Sequence, residues 1–343
     1  MKRQNESLHV QPIIVPTSSS LQSFNFYLVA SEGELLLVDS GIDSEKCWRY
    51  LHQTLQENGF SLKDIDKIVL THSHQDHTGL VNRILDVHDI PVYAHKDAEP
   101  RLYRDQGYIQ NRIAFFQQLY REMGCKENGD NRIIELKEKA KANESQALKT
   151  KINPLEGGDS VAGFDVIETP GHWPDHIVLC HQESGILFGG DHLVEHVSSN
   201  AMIEPDARGK RLRTLVQYEA SLKKCRDYAL NIVYPGHGAI IDNPAALIEK
   251  RLNGIDSKSE KIRKLISVLQ PCTADEVARM FYEKAYNSEF SLVMSEIIGH
   301  LDRLETLEEI EKRKIENQWV YSMHTSRGER EAQMANKSSK SRD

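Results

Sequence analysis

Residues 71–79 read Thr-His-Ser-His-Gln-Asp-His-Thr-Gly and follow directly on the apolar run Ile68-Val69-Leu70. A short apolar run bounded by polar residues reads as a buried strand that ends in a loop. Three imidazoles and a carboxylate crowded at one strand end are costly to desolvate unless a cation sits among them. Positions i and i+2 of an extended chain project to one side, so His72 and His74 are expected to grip one ion together. Gly79 is expected to permit a tight bend that turns Asp76 and His77 toward a second ion.

The same theme recurs outward from this stretch, up to about residue 250. Leu35-Leu36-Leu37-Val38 leads into Asp39-Ser40-Gly41, and Phe164-Asp165-Val166-Ile167 leads into Thr169-Pro170-Gly171-His172. Ile186-Leu187-Phe188 leads into Gly189-Gly190-Asp191, and Ile232-Val233-Tyr234 leads into Pro235-Gly236-His237-Gly238. His172, Asp191 and His237 thus stand at further strand ends, flanked by small residues that let backbones come close. Helical patterns over 45–57 and 214–229 lie between, which makes an α/β or α+β domain with its polar residues gathered in loops. A lone histidine has a surface or packing role by default, and His95, His181, His300 and His324 are read that way. His176 is expected to brace a ligand by a hydrogen bond. His192 and His196, just after Asp191, are candidates to protonate a leaving group.

Between residues 99 and 150 strand signals vanish, and two charged, helix-favouring stretches surround 124–130. The segment 131–149 alternates Lys and Glu and reads as a solvated helix, either an exposed insertion or a lid. After Asp256 helices dominate again. Thr273-Ala274-Asp275-Glu276 fits a capping box, Ile297, Leu301 and Leu304 follow at helical spacing, and Trp319-Val320-Tyr321 reads as a closing strand. The expected organisation is a catalytic domain over 1–255 with a helical insertion at about 100–150, a winged-helix-like α+β domain over 256–325, and a disordered tail over 326–343. Residues 256–324 hold ten Lys+Arg against thirteen Asp+Glu. That balance is poor for a phosphate reader, which puts packing or dimerisation ahead of RNA binding.

With 343 residues, 39% hydrophobic and 27% charged, the chain suits a large globular domain plus a small one. The net charge of −8 argues against a protein that coats nucleic acid. The first thirty residues lack a signal-peptide core and no later run approaches the length of a membrane span, so the expected location is cytoplasmic, with no membrane partner. The five cysteines are odd in number, scattered and free of CxxC pairs, and are expected to be reduced and structural.

The pattern HxHxDH at 72–77, with His172 and His237 in Pro-Gly-His settings and Asp191 in Gly-Asp, resembles the metallo-β-lactamase superfamily over about residues 10–250. The resemblance implies a four-layer αββα sandwich with the site at one edge of the paired sheets. It implies that His72, His74 and His172 ligate a first metal, that Asp76, His77 and His237 ligate a second, and that Asp191 bridges them. Asp39 matches the family's strand-end aspartate, which supports the site from behind. The C-terminal module resembles the winged-helix extension of a subset that includes lactamase-like endoribonucleases and glyoxalase II-like relatives. Asp175 and His176 in Gly171-His172-Trp173-Pro174-Asp175-His176 are similar to that subset, although the helical insertion is longer than expected there. Zinc β-lactamases of the main class carry a cysteine among the second-site ligands. None of the five cysteines here lies in such a motif, so antibiotic hydrolysis is not the expected task.

The expected chemistry follows from that ligand set. Two divalent ions, Zn²⁺ by default with Mn²⁺ or Fe²⁺ as alternatives, would share a bridging hydroxide that attacks a small ester-type substrate, a thioester or a lactone. Asp76 would orient that nucleophile and take its proton. An endoribonuclease or other phosphodiesterase is the alternative, and an iron redox enzyme or a binding-only sensor comes third. The expected partner is a small molecule, with RNA or a second copy of the chain as further candidates.

Overall fold

A computed structural model describes residues 8–324; the tail expected over 326–343 lies outside the described residues. Two sheets carry the architecture. The first holds β1 (His9–Pro16), β2 (Ser23–Ser31), β3 (Glu34–Val38), β4 (Lys67–Val69), β5 (Val92–His95) and β6 (Ile152–Leu155), in that spatial order. The second holds β7 (Ser160–Val161), β8 (Phe164–Glu168), β9 (Ile177–His181), β10 (Ile186–Gly190) and β11 (Ile232–Pro235), ordered β11-β10-β9-β8-β7.

The two-residue period of a strand sorts the core into layers. Phe26 and Leu28 of β2 and Leu35 and Leu37 of β3 pack with Leu51 and Leu55 of the helix Glu45–Glu57. Their neighbours Tyr27, Val29, Leu36 and Val38 turn the other way and meet Phe164, Val166, Leu179 and Phe188 of the second sheet. On that sheet's far side Val178, Cys180 and Leu187 pack with Tyr218, Leu222 and Cys225 of the helix Thr214–Arg226. Helix, sheet, sheet, helix is therefore the layer order, the four-layer αββα sandwich expected. The helix Glu45–Glu57 starts where expected, its first turn capped by Ser44, whose side chain accepts from the Cys47 N–H. The helix expected over 214–229 ends at Arg226.

Two local expectations are corrected. β4 stops at Val69, so 72–74 is not strand; His74 is instead the N-cap of a short helix, Gln75–Thr78. Gly79 is needed for close approach and not for a bend. Its φ of −61° is ordinary helical backbone, but a Cβ there would lie 2.6 Å from the Ile42 carbonyl carbon and 2.8 Å from the Gly41 oxygen.

The described chain divides into two compact units, one of residues up to 116 with 133–255, the other of 117–132 with the residues from 256 onward. The insertion expected to belong wholly to the catalytic domain is thus split: its helices are Gln106–Glu122 and Glu127–Ala142, and the stretch around their junction belongs to the second unit. The reason is local apolar burial. Tyr120 packs 5.2 Å from Phe290, Cys125 Sγ lies 3.8 Å from Met294 Sδ, and the Trp319 indole donates to Glu122 at 3.1 Å.

The second unit continues with the end of the helix Pro244–Leu269, then β12 (Cys272–Thr273), the helix Ala274–Phe281, the helix Phe290–Thr306 and a hairpin of β13 (Ile310–Ile315) and β14 (Gln318–Met323), with sheet order β12-β14-β13. The expected capping box is present: the Thr273 side chain accepts from the Glu276 N–H, and Glu276 accepts from the Thr273 N–H.

Candidate metal centre

Each sequence-selected ligand sits just past the end of a strand: 72–77 after β4, His172 after β8, Asp191 after β10 and His237 after β11. These loops lie at one edge of the paired sheets and bring the seven side chains into two adjacent groups. One holds His72, His74, His172 and Asp191; the other holds Asp76, His77 and His237; within each group the ligating atoms lie within 4.8 Å of one another. Asp191 faces both. Its Oδ2 is 3.4 Å from His172 Nε2, while its Oδ1 is 3.3 Å from His77 Nε2 and 3.2 Å from His237 Nε2. His237 Nε2 is also 3.5 Å from Asp76 Oδ2, and His74 Nδ1 meets His172 Nε2 at 3.2 Å.

These residues fit a divalent cation. Nε2 of His72, His77 and His237 and Oδ1 of Asp191 are buried without a hydrogen-bond partner, an arrangement that costs about 1–3 kcal/mol per group unless something else satisfies it. The opposite ring nitrogens are already engaged. His77 Nδ1 donates to Asp39 at 2.7 Å, His237 Nδ1 to the Ser23 carbonyl at 2.8 Å, and His172 Nδ1 to the Asn200 carbonyl at 3.1 Å. Such bonds fix the tautomer and aim the free nitrogen inward.

Electrostatics divide the two groups. Burial first, then the neighbouring imidazoles, hold His72 and His74 well below the ordinary histidine range, and burial likewise lowers His172. Burial opposes charge on His77 and His237 too, but there Asp191 outweighs it, joined at His77 by Asp39, and both are raised. Burial alone would raise Asp191; His237 and His77 together hold its carboxyl well below the usual range.

The supporting residues expected from the sequence have identifiable contacts. Asp39 accepts from His77, from the Thr71 N–H at 2.8 Å and from the Thr71 hydroxyl at 2.8 Å. It holds this position with a φ of +58°, strained for a non-glycine residue. His176 Nε2 accepts the Asp191 N–H at 3.1 Å, and its Nδ1 donates to the Thr169 hydroxyl at 2.8 Å. His192 departs from its expected role. It is 0% exposed, its ring lies 5.3 Å from Tyr218, and burial pushes its pKa down to about 3, so solvent does not reach it. His196 is half-buried and donates from Nε2 to the Ser20 carbonyl at 3.0 Å. His95, His181 and His300 bond to Glu168, Ser184 and Ser259, as ordinary packed histidines do.

The sequence reading missed the residues that hold the His237 loop. Asn25 donates to the carbonyls of Pro235 and Gly238 at 3.1 and 2.9 Å, and the Ser23 hydroxyl accepts the Gly238 N–H at 3.0 Å. Gly236 is there because a Cβ would lie 2.5 Å from both Asp191 Oδ1 and His77 Cε1.

A family model described as the metallo-beta-lactamase superfamily matches residues 23–237. The chain belongs to this superfamily. As a superfamily member it is similar to the probable metallo-hydrolase YqjP of Bacillus subtilis, with 35% identity over 87% of this chain and 92% of the relative. It is also similar to the atrochrysone carboxyl ACP thioesterase of Aspergillus fumigatus, at 27% identity over 74% of this chain and 62% of that protein. Among solved structures, a metallo-beta-lactamase family protein from Thermus thermophilus shares the fold, with a TM-score of 0.74, 24% identity, and coverage of 92% of this chain and 98% of the other. Superfamily, site chemistry and relatives agree on a metal-dependent hydrolase. Among the described residues no helix is long and apolar enough to cross a membrane.

Proposed function

We propose that this chain hydrolyses a small ester-type substrate, a thioester ahead of a lactone, at a centre of two divalent ions. The observation that carries the reading is the convergence of seven side chains on two touching groups with unsatisfied atoms facing inward. The thioesterase names among the relatives favour a thioester. In this reading His72, His74 and His172 would hold one ion and Asp76, His77 and His237 the other, with Asp191, which faces both groups, serving the two. Nitrogen and oxygen donors of this kind suit Zn²⁺ and equally Fe²⁺ or Mn²⁺. Bound ions of this class supply Lewis acidity, which brings the pKa of water toward neutrality and polarises an acyl oxygen.

The protein groups do the rest. Asp76, with its side chain 23% exposed, is more open than His77 and His237, and would orient the attacking water and accept its proton on a carboxylate oxygen. The half-buried His196 is the remaining candidate to protonate a leaving alkoxide; a thiolate needs little help. A phosphodiesterase reading draws less support. The helix Phe290–Thr306, which would have to enter a nucleic-acid groove, is largely buried: its Met294, Ile297, Ile298 and Leu301 are each at most 1% exposed, and its His300 and Glu296 bond to Ser259 and Lys258.

The test is a parallel screen of metal-loaded protein against thioesters, lactones and single-stranded RNA, with metal analysis of the same sample. Thioester turnover is expected, and Asp76→Asn or His74→Ala should lower it by about 10²-fold or more with the circular dichroism unchanged. RNA cleavage with inert thioesters would reverse the assignment.

A further inference from the structure

The loop that carries His72 and His74 and the loop that carries His172 are clasped together by residues to which the chemistry above gives no part. Asp175, 0% exposed, accepts the Ser73 hydroxyl on Oδ2 at 2.6 Å and the Ser73 N–H on Oδ1 at 3.3 Å. The Trp173 indole N–H donates to the same Ser73 hydroxyl at 3.0 Å. Ser73 is thus locked between His72 and His74 by two residues of the His172 loop. The Trp173 ring then lies 4.1 Å from the His74 imidazole, and fixes that ring from the side.

A buried carboxylate needs a partner, and here it comes from the start of the helical insertion. Arg101 Nη1 is 3.8 Å from Asp175 Oδ2, and its Nη2 is 4.0 Å from Glu204 Oε2. Glu204, also fully buried, receives the Arg112 Nε–H at 2.9 and 2.7 Å. Both guanidiniums lie over Trp173, at 5.5 and 5.8 Å from the ring. Two carboxylates and two guanidiniums cancel in charge. The indole thus lies near both guanidiniums and near His74.

We propose that Ser73, Trp173, Asp175 and Arg101 are positioning residues that set the spacing of His72, His74 and His172 and thereby the affinity of that group for its ion. The inference rests on the two-ion reading above. Ligand-orienting residues of this kind typically change metal affinity or activity by about 10–100-fold when removed, whereas a merely structural contact would change melting and leave the ion's surroundings alone.

The experiment titrates metal-free full-length chain with Co²⁺ against a chromophoric chelator and records the visible spectrum. Wild type is expected to take up two ions. Ser73→Ala, which removes one hydroxyl, is expected to weaken one of the two binding steps by about 10–100-fold, to shift the cobalt bands of that step, and to leave the other step unchanged. Asp175→Asn should act in the same direction. Should it fail to fold, Trp173→Phe serves instead, because it keeps a ring beside His74 and removes only the indole donor. Wild-type affinity and an unchanged spectrum in both Ser73→Ala and Trp173→Phe overturn the inference and leave the two-ion reading standing. A wild-type chain that takes up no ion overturns that reading and this inference with it.

Discussion

Protons and cations compete for single atoms in this site. His77 and His237 are raised because Asp191, with Asp39 at His77, outweighs their burial. Their Nε2 atoms could bind a cation only when deprotonated. The sign follows: affinity is full above the raised pKa values and falls as pH drops through them, starting at a higher pH than for an ordinary imidazole, whose pKa is about 6.5. A chelator competition series across pH checks this, and an affinity that holds level down to about pH 6 would contradict it. Gly236→Ala would drive a methyl group against Asp191 and His77. It should weaken metal uptake by about 10-fold or more at intact secondary structure, read by the same titration. The candidate ligands were legible in the sequence because their chemistry is carried by residue type. The braces Asn25 and Ser23 were not, since neither has a local signal that points to a loop more than 200 residues away.

Strands and helices came through where their pattern is local. The runs at 35–38, 164–167 and 232–234 became strands because apolar residues in alternation can serve two buried faces, and the helix Glu45–Glu57 has both its cap and its apolar stripe in the sequence. The stretch 72–74 lies past the end of β4, and His74 keeps extended backbone as the N-cap of the helix Gln75–Thr78. Two elements lend themselves to measurement. Phe188 lies between the sheets, stacked on Tyr234 at 5.3 Å and near Tyr27 and Phe164, and Phe188→Ala should cost about 3–5 kcal/mol in urea unfolding. Thr273→Ala removes the capping box of the helix Ala274–Phe281 and should cost about 1 kcal/mol, read as a lowered melting midpoint.

At the scale of the whole molecule, ions bound by the folded state would add to stability by mass action. A ligand present at 100-fold over its dissociation constant adds about 2.7 kcal/mol, so chelation should lower the melting temperature and readdition of Zn²⁺ should restore it, both seen by calorimetry. A melting curve indifferent to chelator would count against metal binding by the folded state.

The amino-acid sequence by itself determined an α/β or α+β domain, the strand-end loops and the seven ligand candidates, because periodicity and donor chemistry are properties of a few neighbouring residues; the four-layer sandwich was implied by the resemblance of the motif set to the superfamily. Tertiary structure alone decided which oxygen of Asp191 faces which group, that residues 117–132 pack with the C-terminal unit, and that Asp175 closes on Ser73 across 102 positions. Those outcomes depend on which buried polar atoms find partners once distant segments meet. No window of sequence contains both members of such a pair.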